Sequence, residues 1–266
     1  MIDHRWQLWL AVWGAAATIL FALYLVQRRT RNATAVDAGW AASLVAAAAL
    51  CAVLGPGDVS HRVLIGVLAG LENLRVGLLV VRRFGGGEDT RYQELRRRWR
   101  ERGREQRTFA IFYQAQALIA AVLALPFVLA AFNRHDGLVA VEWAGAALWL
   151  GAASLELVAD EQLRRFKAEP ANKGKTMRSG LWRVSRHPNY FFQTLTWLAY
   201  GLVAVAAPWG FLGFLSTVLI LILVLFVTGV RPAEEQALRS RGDDYRRYQR
   251  ETSAFVPWFP RSSTGS

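Results

Sequence analysis

Cysteine is nearly absent. Cys51 is the single one in 266 residues, so no disulfide forms within the chain and a thiolate metal site is not expected. No glycine cluster follows a strand, which excludes both a P-loop and a G-x-G-x-x-G dinucleotide fingerprint. Gly85-Gly86-Gly87 stands among charged residues and reads as a flexible turn. There is no internal repeat and no low-complexity domain. No apolar run is broken mid-way by proline (Pro126 falls near an end), which argues against the paired discontinuous helices of a transporter. The first apolar run is too long for a signal peptide and lacks its small-residue cleavage site. Acidic residues are also scarce, with 20 Asp and Glu against 32 Lys and Arg, a formal charge of +12.

That basicity in a soluble protein would indicate nucleic acid, so the arrangement of the charges decides. The chain is 53% hydrophobic, and its charges lie between long apolar runs. Seven runs approach the ~20 residues a helix needs to cross ~30 Å of hydrocarbon. They fall at about 7–26, 35–54, 61–81, 109–131, 137–158, 189–206 and 209–228. Of the 32 basic residues, 28 fall in segments 27–34, 82–108, 159–188 and the tail from 229, all on one side of a seven-span arrangement. The other side holds Arg5, Arg62 and Arg134, and Arg75 lies within the third run. The bias predicts an all-α integral membrane protein with seven transmembrane helices, N-terminus outside and C-terminus cytoplasmic, in the cell (inner) membrane. Nucleic acid is thereby set aside, and no obligate protein partner is inferred. Residues 1–260 read as one membrane domain, and 261–266 (RSSTGS) as a disordered end or a cloning scar.

Polar residues inside or beside the runs are the candidates for chemistry. Asp37 lies near the start of the second run with Trp40 three residues on, hence on one face. As a helix-start acid, Asp37 is equally suited to the dipole alone. Glu72, Asn73 and Arg75 sit within the third run, where each charge costs ~3 kcal/mol unless it faces the bundle interior or a wet cavity. Glu72 and Arg75 can also neutralise one another. Segment 82–108 reads as a basic helix on the membrane surface; its Arg91 and Tyr92 suit a cofactor phosphate or a lipid headgroup. Tyr113 opens the fourth run. Between Glu156 and Gln193 the polar residues concentrate. Glu156 and Asp160 share a face, as do Asp160, Arg164 and Lys167 on a continuing helix. Arg178, Arg183 and Arg186 follow, then His187-Pro188-Asn189-Tyr190, with Pro188 fitted to a first helical turn. A helix start beside several arginines suits a polyanion. Asn189 and Gln193 share a face, as do Tyr245 and Tyr248 in the amphipathic tail, which leaves the membrane at Arg231, Glu234 and Glu235. No metal site is expected.

Together LELVADEQLRRFK, GLWRVSRHPNYFFQ and RPAEEQALRSRGDDYRRYQRETSAFVPWFP, with VDAGW in the second run and GEDTRYQ after it, resemble the steroid 5-alpha-reductase-like family of membrane enzymes, its bacterial members in particular. The HPNY and RPAEE…DDYRRY pieces are also shared with membrane methyltransferases of the isoprenylcysteine type. The resemblance implies an NADPH-dependent reductase (3-oxo-5-alpha-steroid 4-dehydrogenase) that saturates the carbon–carbon double bond of a 3-oxo-4-ene steroid or similar lipophilic enone. The alternative is an S-adenosylmethionine-dependent methyltransferase of the isoprenylcysteine or phospholipid type. On the lead reading the cofactor contacts are Glu156, Asp160, Arg164, Lys167, Arg178, Arg186, His187, Asn189, Tyr190, Gln193, Arg231, Glu235, Tyr245 and Tyr248, with Arg91 and Tyr92. Trp40, Asn73, Arg75 and Tyr113 line the substrate. In eukaryotic relatives a glutamate and a tyrosine bind the ketone. Asp37 and Glu72 stand in their places here, and which of the two polarises the carbonyl stays open.

Overall fold

A computed structural model of the chain describes residues 2–81 and 87–261. Gly85 and Gly86 of the expected turn, and the expected tail after Arg261, lie outside them. The described residues are helical and contain no strand. Helices run as α1 (Arg5–Thr30), α2 (Ala35–Leu54), α3 (Val59–Val81), α4 (Thr90–Glu101), α5 (Glu105–Leu123), α6 (Leu125–Ala130), α7 (Ala140–Ala168), α8 (Pro188–Val205), α9 (Phe214–Ile222), α10 (Val230–Arg241) and α11 (Asp243–Glu251).

Among the described residues, five stretches are long and apolar enough to cross a membrane: α1, α2, α3, α7 and Gly210–Arg241, which runs through α9 and α10. These match five of the expected runs. They present apolar side chains outward, as on α3, where Val63, Val67, Leu71, Leu74 and Leu78 are all about half exposed. Such a face has no place in water but suits hydrocarbon. The run expected at 109–131 is two helices. Pro126 occupies the first turn of α6 and cannot donate backward, so α5 stops at Leu123. α7 continues beyond its apolar part to Ala168, carrying the polar 159–168 segment as helix.

The chain forms two compact units, Met1–Ala146 with Tyr200–Ser216, and Ala147–Ala199 with Thr217–Ser266. In unit one the buried stripe of α1 (Leu8, Val12, Ala16, Leu20, Tyr24, Gln27) repeats every three to four residues, so one face is covered. α2 and α3 pack closely through small residues: a Cβ on Gly66 would lie 2.8 Å from that of Ala52, and one on Gly77 3.4 Å from that of Ala41. These two approaches fix an antiparallel register. Glu72 therefore lies level with about residue 46 of α2, nine residues and ~14 Å deeper than Asp37. The expected basic surface helix, α4, is anchored rather than loose. Its Arg96, only 6% exposed, binds Glu88 (2.7 Å), Glu105 (2.6 Å) and Gln27 (3.2 Å), and its Trp99 meets Phe109 edge-on at 4.7 Å.

One wholly buried polar pair ties α3 to the start of α7. His61 Nε2 lies 2.8 Å from the carbonyl of His135 and must carry a proton to bond it. His61 Nδ1 lies 2.6 Å from Glu142 Oε1, so a second proton sits between them. Glu142 Oε2 accepts the Val139 N–H at 3.0 Å. The pair is thus neutral overall and fully bonded, as burial demands.

Unit two holds α7 from Ala147, the loop 169–187, α8 as far as Ala199, and the chain from Thr217 of α9 through α11. Between α9 and α10, Leu223–Val227 form one wide π-type turn. Gly242 separates α10 from α11 at φ 52° and ψ −122°, a conformation only glycine adopts without strain. α11 thereby folds back and buries Tyr245 and Tyr248.

Candidate functional site

Within unit two a cavity of about 250 Å³ is lined by Lys167, Arg186, His187, Asn189, Tyr190, Tyr245 and Tyr248, all anticipated from sequence, together with Trp182, Gln236, Ser240 and Arg241. Three of these side chains, Arg186, His187 and Tyr245, converge on the carboxylate of Glu234. Oε1 accepts from Arg186 Nε (2.6 Å) and Tyr245 OH (3.4 Å) and lies 3.2 Å from His187 Nε2; Oε2 accepts from Gln249 Nε2 (3.0 Å). Arg186 Nη1 also donates to the carbonyls of Gln249 (3.0 Å) and Thr252 (2.7 Å). The guanidinium is therefore locked to α10 and the end of α11, with its charge facing the cavity.

The loop before α8 is held at each step. Arg178 Nη2 donates to both the backbone and the side chain of Asp244 at 2.6 Å, and its guanidinium lies 5.8 Å from the Tyr248 ring. Hydrogen bonding from Thr176, with Arg178 nearby, holds the Asp244 carboxyl below the usual carboxylate range. Gly180 has φ +60°, and any Cβ there would strike the Gln162 side chain. That close approach lets Gln162 Oε1 accept the Leu181 N–H at 3.0 Å. Trp182 Nε1 donates to Ala159 O (2.9 Å), and Tyr248 OH donates to Trp182 O. From the other side, the Arg186 N–H bonds Ser253 O (2.8 Å) and the Trp258 N–H bonds Val184 O (2.9 Å).

At the head of α8, Asn189 Nδ2 donates to Asp160 Oδ1 (3.0 Å), and the His187 and Tyr190 rings stack with centroids 5.7 Å apart and planes at 9°. Burial pushes the Tyr245 phenol up to about 12 and raises Tyr248 as well, so both are neutral donors at physiological pH. Arg241 lies 5.9 Å from the Tyr245 ring and is in no ion pair among the described residues. The cavity thus offers cationic groups from α7, the loop and α10 beside flat aromatic rings. That combination suits an anionic ligand with a planar ring.

Other anticipated residues of this unit do not line the cavity. Glu156 is buried on α7. Arg164 is exposed and pairs with Glu161 at 2.6 Å, Arg231 pairs with Glu235 at 3.4 Å on the outer face of α10, and Gln193 lies one turn along α8. Glu234, which binds three of the lining side chains, is not among the residues anticipated from sequence as contacts. Its helical phase could have found it: Ala237 and Arg241 follow at three and seven positions, on the face that closes the cavity.

The anticipated residues of unit one form two separate groups. Tyr92 OH donates to Asp37 Oδ1 at 2.5 Å and Arg91 Nη2 to Oδ2 at 3.0 Å. Burial raises the Tyr92 phenol, which keeps it protonated at neutral pH. Deeper, Glu72 is 6% exposed and takes a 2.5 Å bond from Arg75, while the Asn73 amide turns back on the Ala69 carbonyl (2.8 Å). Trp40 is half-buried on α2. Tyr113 is fully buried, with its hydroxyl 3.4 Å from Ala33 O.

Among the described residues no cluster of His, Cys, Asp and Glu could hold a metal ion. No curated protein and no solved structure matches the chain. A family model described as "Protein of unknown function (DUF1295)" matches residues 23–252, from the last turns of α1 through α11, and the chain belongs to that family.

Proposed function

We propose that the chain is a seven-span membrane reductase that uses NADPH to saturate the C4–C5 double bond of a 3-oxo-4-ene steroid or a comparable lipophilic enone. The observation that carries this reading is the unit-two cavity, where Lys167, Arg186 and Arg241 face inward beside Trp182, Tyr190 and Tyr245. Those cations suit a diphosphate, and those rings suit a base or ribose face. The resemblance to steroid 5-alpha-reductase-like enzymes supports the choice of nucleotide and substrate.

When bound, NADPH would supply a hydride to the β carbon of the enone. The chain's own task is to hold the nucleotide, exclude water and stabilise the negative charge that then grows on the ketone oxygen. Of the two acids, Asp37 suits that task better. Both acids are ion-paired, Glu72 with Arg75 and Asp37 with Arg91, so the difference lies in a further donor that only Asp37 holds. Asp37 shares a short hydrogen bond with the Tyr92 phenol, and that pair contains an exchangeable proton. The phenol is a donor of the type that the resemblance assigns to the ketone. Protonation at C4 completes the addition.

One observation favours the alternative. A cavity of about 250 Å³ lies below the ~300–1,000 Å³ of ordinary cofactor sites, and S-adenosylmethionine is much smaller than NADPH. Purified protein incubated with a 4-ene-3-ketone and NADPH should yield product heavier by two hydrogens. Methyl transfer from S-adenosylmethionine without NADPH oxidation would replace the reductase with the methyltransferase.

The topology belongs to the same reading, with α5–α6 and α8 as the remaining crossings, the N-terminus outside and the C-terminus in the cytoplasm of the cell membrane. Cysteines introduced at Arg134 and at Lys173 should label from outside and inside, respectively. Labelling of both from one side removes the arrangement.

A further inference from the structure

The end of unit one opposite the Asp37–Tyr92 pair carries a feature that the reductase reading does not use. A depression of about 830 Å³ is lined by Arg5, Trp6, Asn133, Arg134 and His135, with Asp3 and His4 at its lip. Arg5 and Trp6 also line a second groove of about 250 Å³, whose other walls are Trp9, Leu125, Val128 and Leu129. The first space is polar, the second is apolar, and they share two residues.

The charges in the depression are unspent. Neither Arg5 nor Arg134 is in an ion pair among the described residues. Arg5 Nε is buried without a hydrogen-bond partner, and its guanidinium lies 5.5 Å from the Phe132 ring. Only Arg5, Arg62 and Arg134 were expected on this side of the chain; Arg62 is used on the Ala52 carbonyl at 3.1 Å, and the other two meet in this depression. Apart from Arg5, the groove is walled by apolar and aromatic side chains. The Trp9 N–H is bonded to Ala121 O at 3.0 Å, which leaves its ring face to the space. Trp6 is 59% exposed, as an aromatic at a membrane interface is.

We propose that this end of unit one binds one anionic phospholipid of the adjoining leaflet, with its phosphate at Arg5 and Arg134 and an acyl chain in the groove between α1 and α6. Charge complementarity selects the anion, because the arginines outnumber Asp3 and neither is in an ion pair among the described residues. The apolar groove that opens beside them selects an anion attached to a hydrocarbon chain over a free one. A peptide is excluded by the groove, which offers no backbone donor or acceptor of the kind an extended chain requires.

The test is native mass spectrometry of the full chain in detergent, titrated with phosphatidylglycerol, with phosphatidylcholine of the same chains, and with glycerol 3-phosphate. Phosphatidylglycerol should bind with one tight site, and phosphatidylcholine far more weakly. Glycerol 3-phosphate should not compete. The R5Q/R134Q variant should weaken phosphatidylglycerol about 30-fold, which is about 2 kcal/mol at 1.4 kcal/mol per tenfold. Arg134 is exposed, so R134E leaves the fold intact and should by itself lower affinity at least as far as one lost contact. R28Q/R29Q removes the same charge from the far end of α1 and should change nothing. Equal binding of the two lipids, full competition by glycerol 3-phosphate, or equal losses in R134E and R28Q/R29Q would each overturn the site.

Discussion

Replacing Glu234 tests the construction of the unit-two cavity more directly than any change at its rim. The carboxylate receives Arg186, His187, Tyr245 and Gln249, and the side chains of Glu234 and Arg186 are 17% and 10% exposed. Loss of one partner from a fully buried ion pair costs ~3–5 kcal/mol, because the other charge is stranded. Arg186 is not wholly stranded, since it keeps the Gln249 and Thr252 carbonyls. Glu234→Ala should therefore cost about 2–3 kcal/mol. Glu234→Gln should cost about 1–2 kcal/mol, because the Gln249 amide can turn to accept from the new N–H₂ while Arg186 loses its counter-charge. The eleven tryptophans give an intrinsic fluorescence signal for thermal unfolding in detergent, and a drop of about 5–10 °C is expected for Glu234→Ala. Glu235→Gln is the control. Its side chain is 54% exposed and paired with an exposed Arg231, so it should cost less than about 1 kcal/mol. Equal midpoints for the two glutamine variants would show that Glu234 does not organise this unit.

Asp244 gives a pH signature. Its folded carboxyl lies below the usual range through Thr176 and then Arg178, so it adds stability above the unfolded value of ~4 and loses that stability as pH falls through the lower folded value. Unfolding midpoints measured down the acid limb should fall in the wild type, and Asp244→Asn should flatten the fall; parallel curves would refute it. The shared proton at His61 predicts that Glu142→Gln costs about 1 kcal/mol, because the amide can donate to Nδ1 of a neutral imidazole, whereas Glu142→Leu costs about 3 kcal/mol. Denaturant titration decides, and a glutamine as harmful as leucine would remove the proton from between them. On the reductase reading, Tyr92→Phe and Asp37→Asn should each lower NADPH-dependent turnover by ~10²-fold or more with nucleotide binding retained. Glu72→Gln should lower it less, and a full rate in both Tyr92→Phe and Asp37→Asn would show the acid to be elsewhere.

What the sequence revealed follows from which forces act locally. Hydrocarbon is an unforgiving solvent for backbone and charge, so long apolar runs marked α2 and α3 to within two residues and α1 to within four. In contrast, α7 and the stretch from Gly210 continue well past the expected ends at 158 and 228, because their polar extensions stay helical. Pro188 likewise announced the start of α8, because proline is at ease only in a first turn. The break between α5 and α6 was written in Pro126, but an apolar run on both sides masked it. The cavity was legible as a set of residues and not as a geometry. Lys167, Arg186, Asn189 and Tyr245 come from three stretches of chain, and only the backward fold at Gly242 brings the last of them to the others. The choice between Glu234 and Glu235 turned on helical phase, which adjacent identical residues hide unless Ala237 is used as the marker of the inward face. The Asp37–Tyr92 bond spans 55 positions and leaves no periodic trace, so sequence alone offers Tyr92 a phosphate or a headgroup and no link to Asp37. A pairing of that kind is set by tertiary packing alone. Glu72, by comparison, meets its arginine within its own helix, whereas Asp37 draws both Arg91 and Tyr92 from α4.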